Sequence, residues 1–314
     1  MSLDSEVRPF QPPASALPRT HSAALVWVAA VASTLLVGVL LSWVALLRFG
    51  DSHGAAQKLL TTEGSPLVND PTWIIAGTAA SELAVGGVLV VAWVLWRRRL
   101  SRLPSGLPSG TGLRLFLPLG RPRRDALLGA VLLALGSAPW AEAVAVAMGK
   151  LFTSEVTAGK VVVAAARSSS TAEFALALVG LALLPALVEE PLFRGLIYVA
   201  YARGSAFRAV AISSVFFGAF HLEPAHAAAT MVLGAAFGLG RLYSGSILTS
   251  MTAHAVYNAA VLVTVRWASE APDPKEATLS PGLLVSGLAV AALGFWLLRR
   301  ASGGVPLDSI PRPE

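Results

Sequence analysis

Three short segments in the second half of this sequence carry side chains that could perform hydrolysis. EEPLFR begins at Glu189, FGAFH ends at His221, and HAVYN runs from His254 to Asn258. A carboxylate, two imidazoles and a carboxamide can supply a general base, groups that hold a water molecule, and hydrogen-bond donors for an oxyanion. Together they indicate amide hydrolysis by an activated water molecule.

The chemistry of each side chain suggests its role. Glu189 is expected to act as general base on a water molecule, which His221 would hold or activate directly or through a metal ion. His254 and Asn258 are expected to donate hydrogen bonds to the oxyanion of the tetrahedral intermediate. Phe217, one helical turn before His221, can wedge that imidazole in one orientation.

Glu190 and Arg194 are expected to have a structural role. They are four residues apart with the acid first, which is the favourable order on a helix. This spacing predicts a buried ion pair. Glu189 lies about 100° further around the helix, so it is expected to face other partners, and the predicted partners are His221 and His254.

The rest of the chain has the composition of a membrane protein. It has 314 residues, of which 55% are hydrophobic and 13% are charged, whereas soluble domains have about 25% charged residues. Its long apolar runs predict an all-α, polytopic bundle of about eight transmembrane helices. Pro185 and Pro191 are expected to kink the fourth helix. The predicted helices cover residues 23–47, 72–96, 125–148, 172–201, 207–222, 225–243, 246–268 and 281–299.

The chain lacks cysteine, which excludes disulfides, thiolate metal ligands and a cysteine nucleophile.

The depth of the polar side chains predicts that they meet inside the membrane. A charged side chain at the centre of a membrane helix costs about 2.5–3.5 kcal/mol, so such residues are rarely retained without a function. Counting from the predicted cytoplasmic ends places Glu189 and His221 roughly 20 Å deep and His254 roughly 12 Å deep. These three side chains are therefore expected to converge around one water-filled pocket.

The distribution of Lys and Arg predicts the orientation. With both termini in the cytoplasm, 16 of these residues lie inside and 7 outside, as the positive-inside rule requires. The basic loop 97–124 is then expected to contact anionic lipids rather than nucleic acid, despite the net charge of +6. The expected division of the chain is a disordered tail (1–22), two membrane helices with the basic loop (23–124), a catalytic membrane core (125–268), and a last helix with its tail (269–314).

The three segments resemble, in order, the motifs EExxxR, FxxxH and HxxxN of the CPBP family. This family comprises type 2 CAAX prenyl endopeptidases and bacteriocin-processing and abortive-infection membrane proteins. The resemblance covers about residues 171–262 and implies an all-helical intramembrane endopeptidase. It also implies that Glu189 is the catalytic acid, that His221, His254 and Asn258 complete the site, and that Glu190 and Arg194 support it. Pro191 departs from the pattern, since the family often has an aliphatic residue there.

The resemblance leaves the metal and the substrate open. Family members are called metalloproteases, and Glu189, His221 and His254 could hold Zn²⁺ with one open position. The HExxH spacing is absent, so a metal-independent mechanism is an equal alternative. The expected substrate is a prenylated CAAX tail or another membrane-associated peptide precursor. The Ala- and Arg-rich composition suggests a bacterial chain, which would place it in the inner membrane.

Two other functions compete with hydrolysis. A non-catalytic scaffold that regulates partner membrane proteins is compatible with the resemblance. A proton-coupled transporter could also use buried Glu and His, although no internal repeat is visible. Three polar residues of the membrane segments have no expected role in the site: Glu82 and Glu142 are structural or of unknown role, and His226 is unassigned. Gly234 and Gly238 form a GxxxG motif that predicts close helix packing.

Overall fold

The computed structural model describes residues 18–49, 70–101, 116–152, 158–167, 170–202, 205–268 and 280–302, and every regular element within these ranges is helical. Most of the predicted disordered tail and residues 102–115 of the predicted basic loop lie outside these ranges. The all-α fold is confirmed. In chain order the helices are α1 (Thr20–Phe49), α2 (Pro71–Leu100), α3 (Arg124–Leu151), α4 (Ala158–Arg167), α5 (Thr171–Tyr201), α6 (Ala206–Phe220), α7 (Pro224–Ser244), α8 (Ile247–Trp267) and α9 (Pro281–Ala301).

All eight predicted helices form, but among the described residues only six are long and apolar enough to cross a membrane. These six are α1, α2, α3, α5, α8 and α9. Helix α6 has 15 residues, so it is about 22 Å long, shorter than the hydrocarbon core of a bilayer. Both six and eight crossings return the chain to its starting side. The placement of both termini in the cytoplasm therefore stays a prediction.

Helix α4 has no counterpart among the predicted helices. It contains 10 residues between Ala158 and Arg167 and packs against α2 and α8. Its apolar stretch is too short to span a bilayer, so the length of apolar runs does not predict this helix. Arg167 donates hydrogen bonds to the carbonyls of Val265 and Ala268, which ties the end of α4 to the end of α8.

Helix α5 is irregular where the prolines lie. Two π-helical segments, Leu178–Leu183 and Pro191–Ile197, flank one α-helical stretch that ends at Glu190. Proline has no backbone N–H and its ring crowds the carbonyl four residues earlier, and widened turns relieve that crowding. The kink predicted from Pro185 and Pro191 therefore takes the form of two π segments, one on each side of the acidic pair.

The core lies where α5 meets α6 and α7. Leu192, Phe193 and Ile197 of α5 pack with Phe217 of α6 and Phe237 of α7, and all five are buried. The GxxxG motif lies on the face of α7 that contacts α6, where a methyl group on Gly238 would come within 2.9 Å of Val210. Close packing through this motif is confirmed.

Candidate active site

Glu190 and Arg194 form an ion pair at the centre of the bundle, as their spacing predicts. The guanidinium Nη1 donates to Glu190 Oε1 at 2.9 Å, and both side chains are 0% exposed. Arg194 Nη2 donates to the carbonyl of Gly234 in α7 at 2.7 Å. A buried ion pair survives only when additional hydrogen bonds offset the lost solvation, and the Gly234 carbonyl supplies one of them.

Aromatic rings enclose the guanidinium. The Cζ atom of Arg194 lies 4.6 Å from the ring centre of Phe217 and 5.5 Å from that of Phe237. The ring of Phe217 also meets His221 and His254 edge to face, at centroid distances of 5.2 and 5.6 Å. Phe217 therefore packs against both histidines, a larger contact than the wedge beside His221 that its spacing predicts.

His254 contacts Glu190, the second glutamate of the acidic pair. Its Nδ1 lies 3.0 Å from Glu190 Oε1, and its ring stacks on Phe237 at 4.8 Å with an interplanar angle of 16°. The expectation that His254 faces Glu189 is therefore wrong: the carboxylate that it contacts is Glu190. Packing turns the Glu190 side of α5 towards α7 and α8.

Glu189 faces α2. Its carboxyl group lies against that of Glu82, and the two residues are 5% and 6% exposed. Within the residues that the structure describes, Oε2 of each glutamate is buried and has no hydrogen-bond partner. Glu82 is thus a site residue that sequence reasoning missed. The feature of the sequence that could have identified Glu82 is an acidic residue inside an apolar helix, which is unusual because burying a charged group in a membrane is costly.

His221 follows the last residue of α6. Its Nδ1 lies 2.9 Å from the carbonyl oxygen of Phe217. A carbonyl can only accept, so Nδ1 carries the proton, and Nε2 of the neutral ring keeps a free lone pair. The turn into α7 passes through Leu222, whose φ of 61° is unusual for a non-glycine residue. This turn brings His226 to a centroid distance of 4.5 Å from His221, so the unassigned His226 borders the site.

Asn258 joins α8 to the irregular part of α5. Its Nδ2 donates to the carbonyl of Leu181 at 3.2 Å. In an α-helix this carbonyl would accept from residue 185, which is a proline without an N–H. One amide hydrogen of Asn258 is therefore used to satisfy the backbone, and one remains for the predicted oxyanion role. Glu142 is exposed on α3.

The three predicted zinc ligands, Glu189, His221 and His254, do not form one cluster. Across the described ranges, no three His, Asp or Glu side chains are close enough together to hold one metal ion. The set Glu189, His221 and His254 therefore does not fit a three-ligand zinc site in this arrangement. Each histidine does have the hydrogen-bonded Nδ1 that is common in metal-ligating histidines, but Glu189 is directed to Glu82.

Comparison with known proteins identifies the segment that contains these motifs. Residues 171–260 match the family model described as Type II CAAX prenyl endopeptidase Rce1-like. This segment runs from the start of α5 into α8 and includes all three motifs, so the recognition made from the motifs is confirmed. Glu82 lies outside it. Comparison with curated proteins found no match, and neither did comparison with solved structures.

Proposed function

We propose that this chain, whose residues 171–260 belong to the type II CAAX prenyl endopeptidase Rce1-like family, is an intramembrane endopeptidase that uses water activated by Glu189. The family implies endopeptidase activity, and the apolar helices indicate a multi-pass membrane protein. The proposal adds the roles of individual residues and the class of substrate.

One observation carries the proposal. The hydrogen bond between His254 and Glu190 joins two motifs that are 64 residues apart in the sequence, at a position where both side chains are buried. Burying charged and polar groups in a membrane helix is costly. Apolar residues packed in the same place would make the protein at least as stable as this ion pair does. Stability therefore does not explain why the network is retained, and a function does.

The two glutamates are proposed to have different roles. Glu190 Oε1 is shared by Arg194 and His254, so this carboxylate is engaged in holding α5 against α8. Glu189 lies against Glu82, and among the described residues both Glu189 and Glu190 keep a buried Oε2 without a hydrogen-bond partner. The difference is that Arg194 and His254 engage only Glu190 through hydrogen bonds within the described residues, so Glu189 is the carboxylate proposed to accept a proton from water.

The proposed reaction uses the roles that the chemistry of the three motifs predicts. Glu189 takes a proton from a water molecule oriented by Nε2 of His221, and the hydroxide attacks the scissile carbonyl carbon. The remaining N–H of Asn258 donates to the oxyanion, as does Nε2–H of His254 when that ring carries both protons. The proton held by Glu189 then passes to the leaving amine as the C–N bond breaks. No step requires a metal ion.

The proposed substrate is a membrane-associated peptide, either a prenylated CAAX tail or a peptide precursor. The site is formed by apolar helices, so a substrate must present its scissile bond while still anchored to the membrane. The basic end of α2, where Trp93 lies beside Arg97 and Arg98 in a shallow cavity, is the proposed contact for anionic lipids. The proposed location is a bacterial inner membrane.

The test compares Glu189→Gln with Glu142→Gln in purified protein reconstituted into liposomes. Cleavage is followed with a fluorogenic farnesylated CAAX peptide and with the same peptide lacking the lipid. We expect Glu189→Gln to lose at least about 10²-fold in kcat, as removal of a general base does, while it unfolds at an unchanged denaturant concentration. Glu142→Gln, an exposed change of the same type, should retain activity.

Two results would contradict the proposal. Full activity of Glu189→Gln would exclude it as the base. A wild-type protein that cuts neither peptide, but whose cellular effect survives the Glu189→Gln change, would favour the scaffold alternative. Cleavage of the peptide only when it is farnesylated would assign the prenylated class of substrate.

A further inference from the structure

On α5, Pro185 lies between the two points where α8 is hydrogen-bonded to this helix. His254 contacts Glu190. One helical turn further along α8, Asn258 donates to the carbonyl of Leu181 at 3.2 Å. We infer that Pro185 is a positioning residue for Asn258, because it leaves free the Leu181 carbonyl that holds the Asn258 carboxamide. This inference rests on the proposed function, in which Asn258 donates a hydrogen bond to the oxyanion.

A proline inside a helix acts on the carbonyl four residues before it. For Pro185 that carbonyl belongs to Leu181. Proline has no N–H to donate to this carbonyl, and its ring crowds it. The backbone N–H that closes the preceding π segment is that of Leu184, which donates to Val179, and the next residue along the chain is the proline. Both effects leave the Leu181 carbonyl for a donor from outside the helix.

The packing of α8 against α5 supplies that donor. Helix α8 packs along the Leu178–Leu183 and Leu184–Glu190 stretches of α5. Pro185 is buried between the helices, and Asn258 is half-buried. Inside a membrane every backbone carbonyl needs a hydrogen bond, and a neighbouring helix can provide it where a proline interrupts the regular pattern. The bond from Asn258 therefore completes the backbone of α5 at the position that Pro185 opens.

The shape of a carboxamide turns this contact into a means of orientation. Both N–H bonds of Asn258 belong to one nitrogen of a planar group, so directing one of them also directs the other. A free Asn side chain rotates about two bonds, whereas a group that acts on the reacting atoms must be held close to its productive geometry. With one N–H on the Leu181 carbonyl, the second points in one direction. Pro185 thus acts on the reaction through Asn258 and without touching the substrate.

The experiment replaces Pro185 with Ala in the full chain, in liposomes, with the peptides of the preceding test. The backbone N–H introduced at this position competes with Asn258 for the Leu181 carbonyl. We expect kcat to fall by about 10- to 100-fold with an unchanged KM, since a displacement of about 1 Å can cost about 10²-fold in rate. The variant should nevertheless unfold at an equal or higher denaturant concentration, because alanine is a far better helix residue than proline. A purely structural proline would not separate activity from stability in this way.

Two comparisons show whether the effect passes through Asn258. Pro139→Ala is the matched control, since Pro139 also lies inside a helix long enough to cross a membrane, α3, and this variant should keep the wild-type kcat. Asn258→Ala alone should lower kcat by about 10²-fold, as the loss of one oxyanion donor does. Adding Pro185→Ala to Asn258→Ala should then change kcat by less than about twofold, because no carboxamide remains to be oriented.

Three results overturn the inference. The first is a Pro185→Ala variant that keeps the wild-type kcat. The second is an equal loss of kcat from Pro185→Ala with and without Asn258, which would show that the effect does not pass through this side chain. The third is a double variant with the wild-type kcat, since Asn258 would then serve only to satisfy the Leu181 carbonyl.

Failure of the proposed function is a separate result, because Glu189→Gln would then stay active. Inactive Glu189→Gln and Asn258→Ala variants together with a fully active Pro185→Ala variant refute only the inference.

Discussion

The buried ion pair offers the sharpest test of how this site is held together. Replacing Arg194 with Met removes the 2.9 Å bond to Glu190, the 2.7 Å bond to the Gly234 carbonyl and the contact with the Phe217 ring. Glu190 then remains buried with His254 as its hydrogen-bonded partner. Removing one partner of a buried pair costs about 3–5 kcal/mol, because the other charge is left uncompensated.

The complementary change should behave differently. Glu190→Leu alone leaves Arg194 uncompensated and should cost a similar amount, but Glu190→Leu combined with Arg194→Met removes both charges. The double variant is expected to recover most of the stability, within about 1–2 kcal/mol of wild type, because apolar residues of similar volume often match a buried pair. It should have no peptidase activity, since His254 then loses the carboxylate that orients its ring.

Stability would be measured by reversible denaturant unfolding in detergent micelles, with the change in unfolding free energy taken from a double-mutant cycle. Arg123→Met is the control, since Arg123 forms a 2.8 Å ion pair with Asp125 but its side chain is 66% exposed. We expect this control to have no measurable effect on unfolding. A double variant as unstable as the sum of its single changes would refute the assignment of Glu190 and Arg194 as mutually compensating charges.

Three further predictions concern the site and its surroundings. Gly234→Ala should lower kcat about tenfold, because the added methyl group would lie 3.1 Å from the Phe217 ring and 3.3 Å from Arg194 Nη2. Gly86→Ala is the control: the added methyl group would meet open space, so kcat should not change. Treatment with 1,10-phenanthroline should leave peptide cleavage unchanged, because the structure gathers no three-ligand set among the described residues; inhibition that added Zn²⁺ reverses would show that the ligands rearrange. Replacing Arg97 and Arg98 with Gln should weaken the preference for liposomes containing phosphatidylglycerol over neutral ones, since each basic residue near the surface contributes about 1 kcal/mol to that attraction; equal activity in both lipids for wild type would contradict a lipid contact there.

Local features of the sequence were sufficient for much of this description. Apolar runs predict eight of the nine helices, because a membrane helix satisfies its backbone internally and must be apolar along its length. The i,i+4 spacing predicts the Glu190–Arg194 pair, because residues at this separation share one face of a helix whatever surrounds it. The three motifs in order also identify the family segment, since they are strings of residues that can be read without coordinates.

Tertiary structure alone decided which way each polar residue faces. Helix α5 is apolar on all sides, so hydrophobic periodicity does not specify its rotation about its own axis. The two π segments shift that rotation further. Packing then directs Glu190 to His254 and Glu189 to Glu82, whereas sequence reasoning paired Glu189 with the histidines. Glu82 and Glu189 are more than a hundred residues apart, and their contact arises from the packing of α2 on α5, which no local pattern in the sequence encodes.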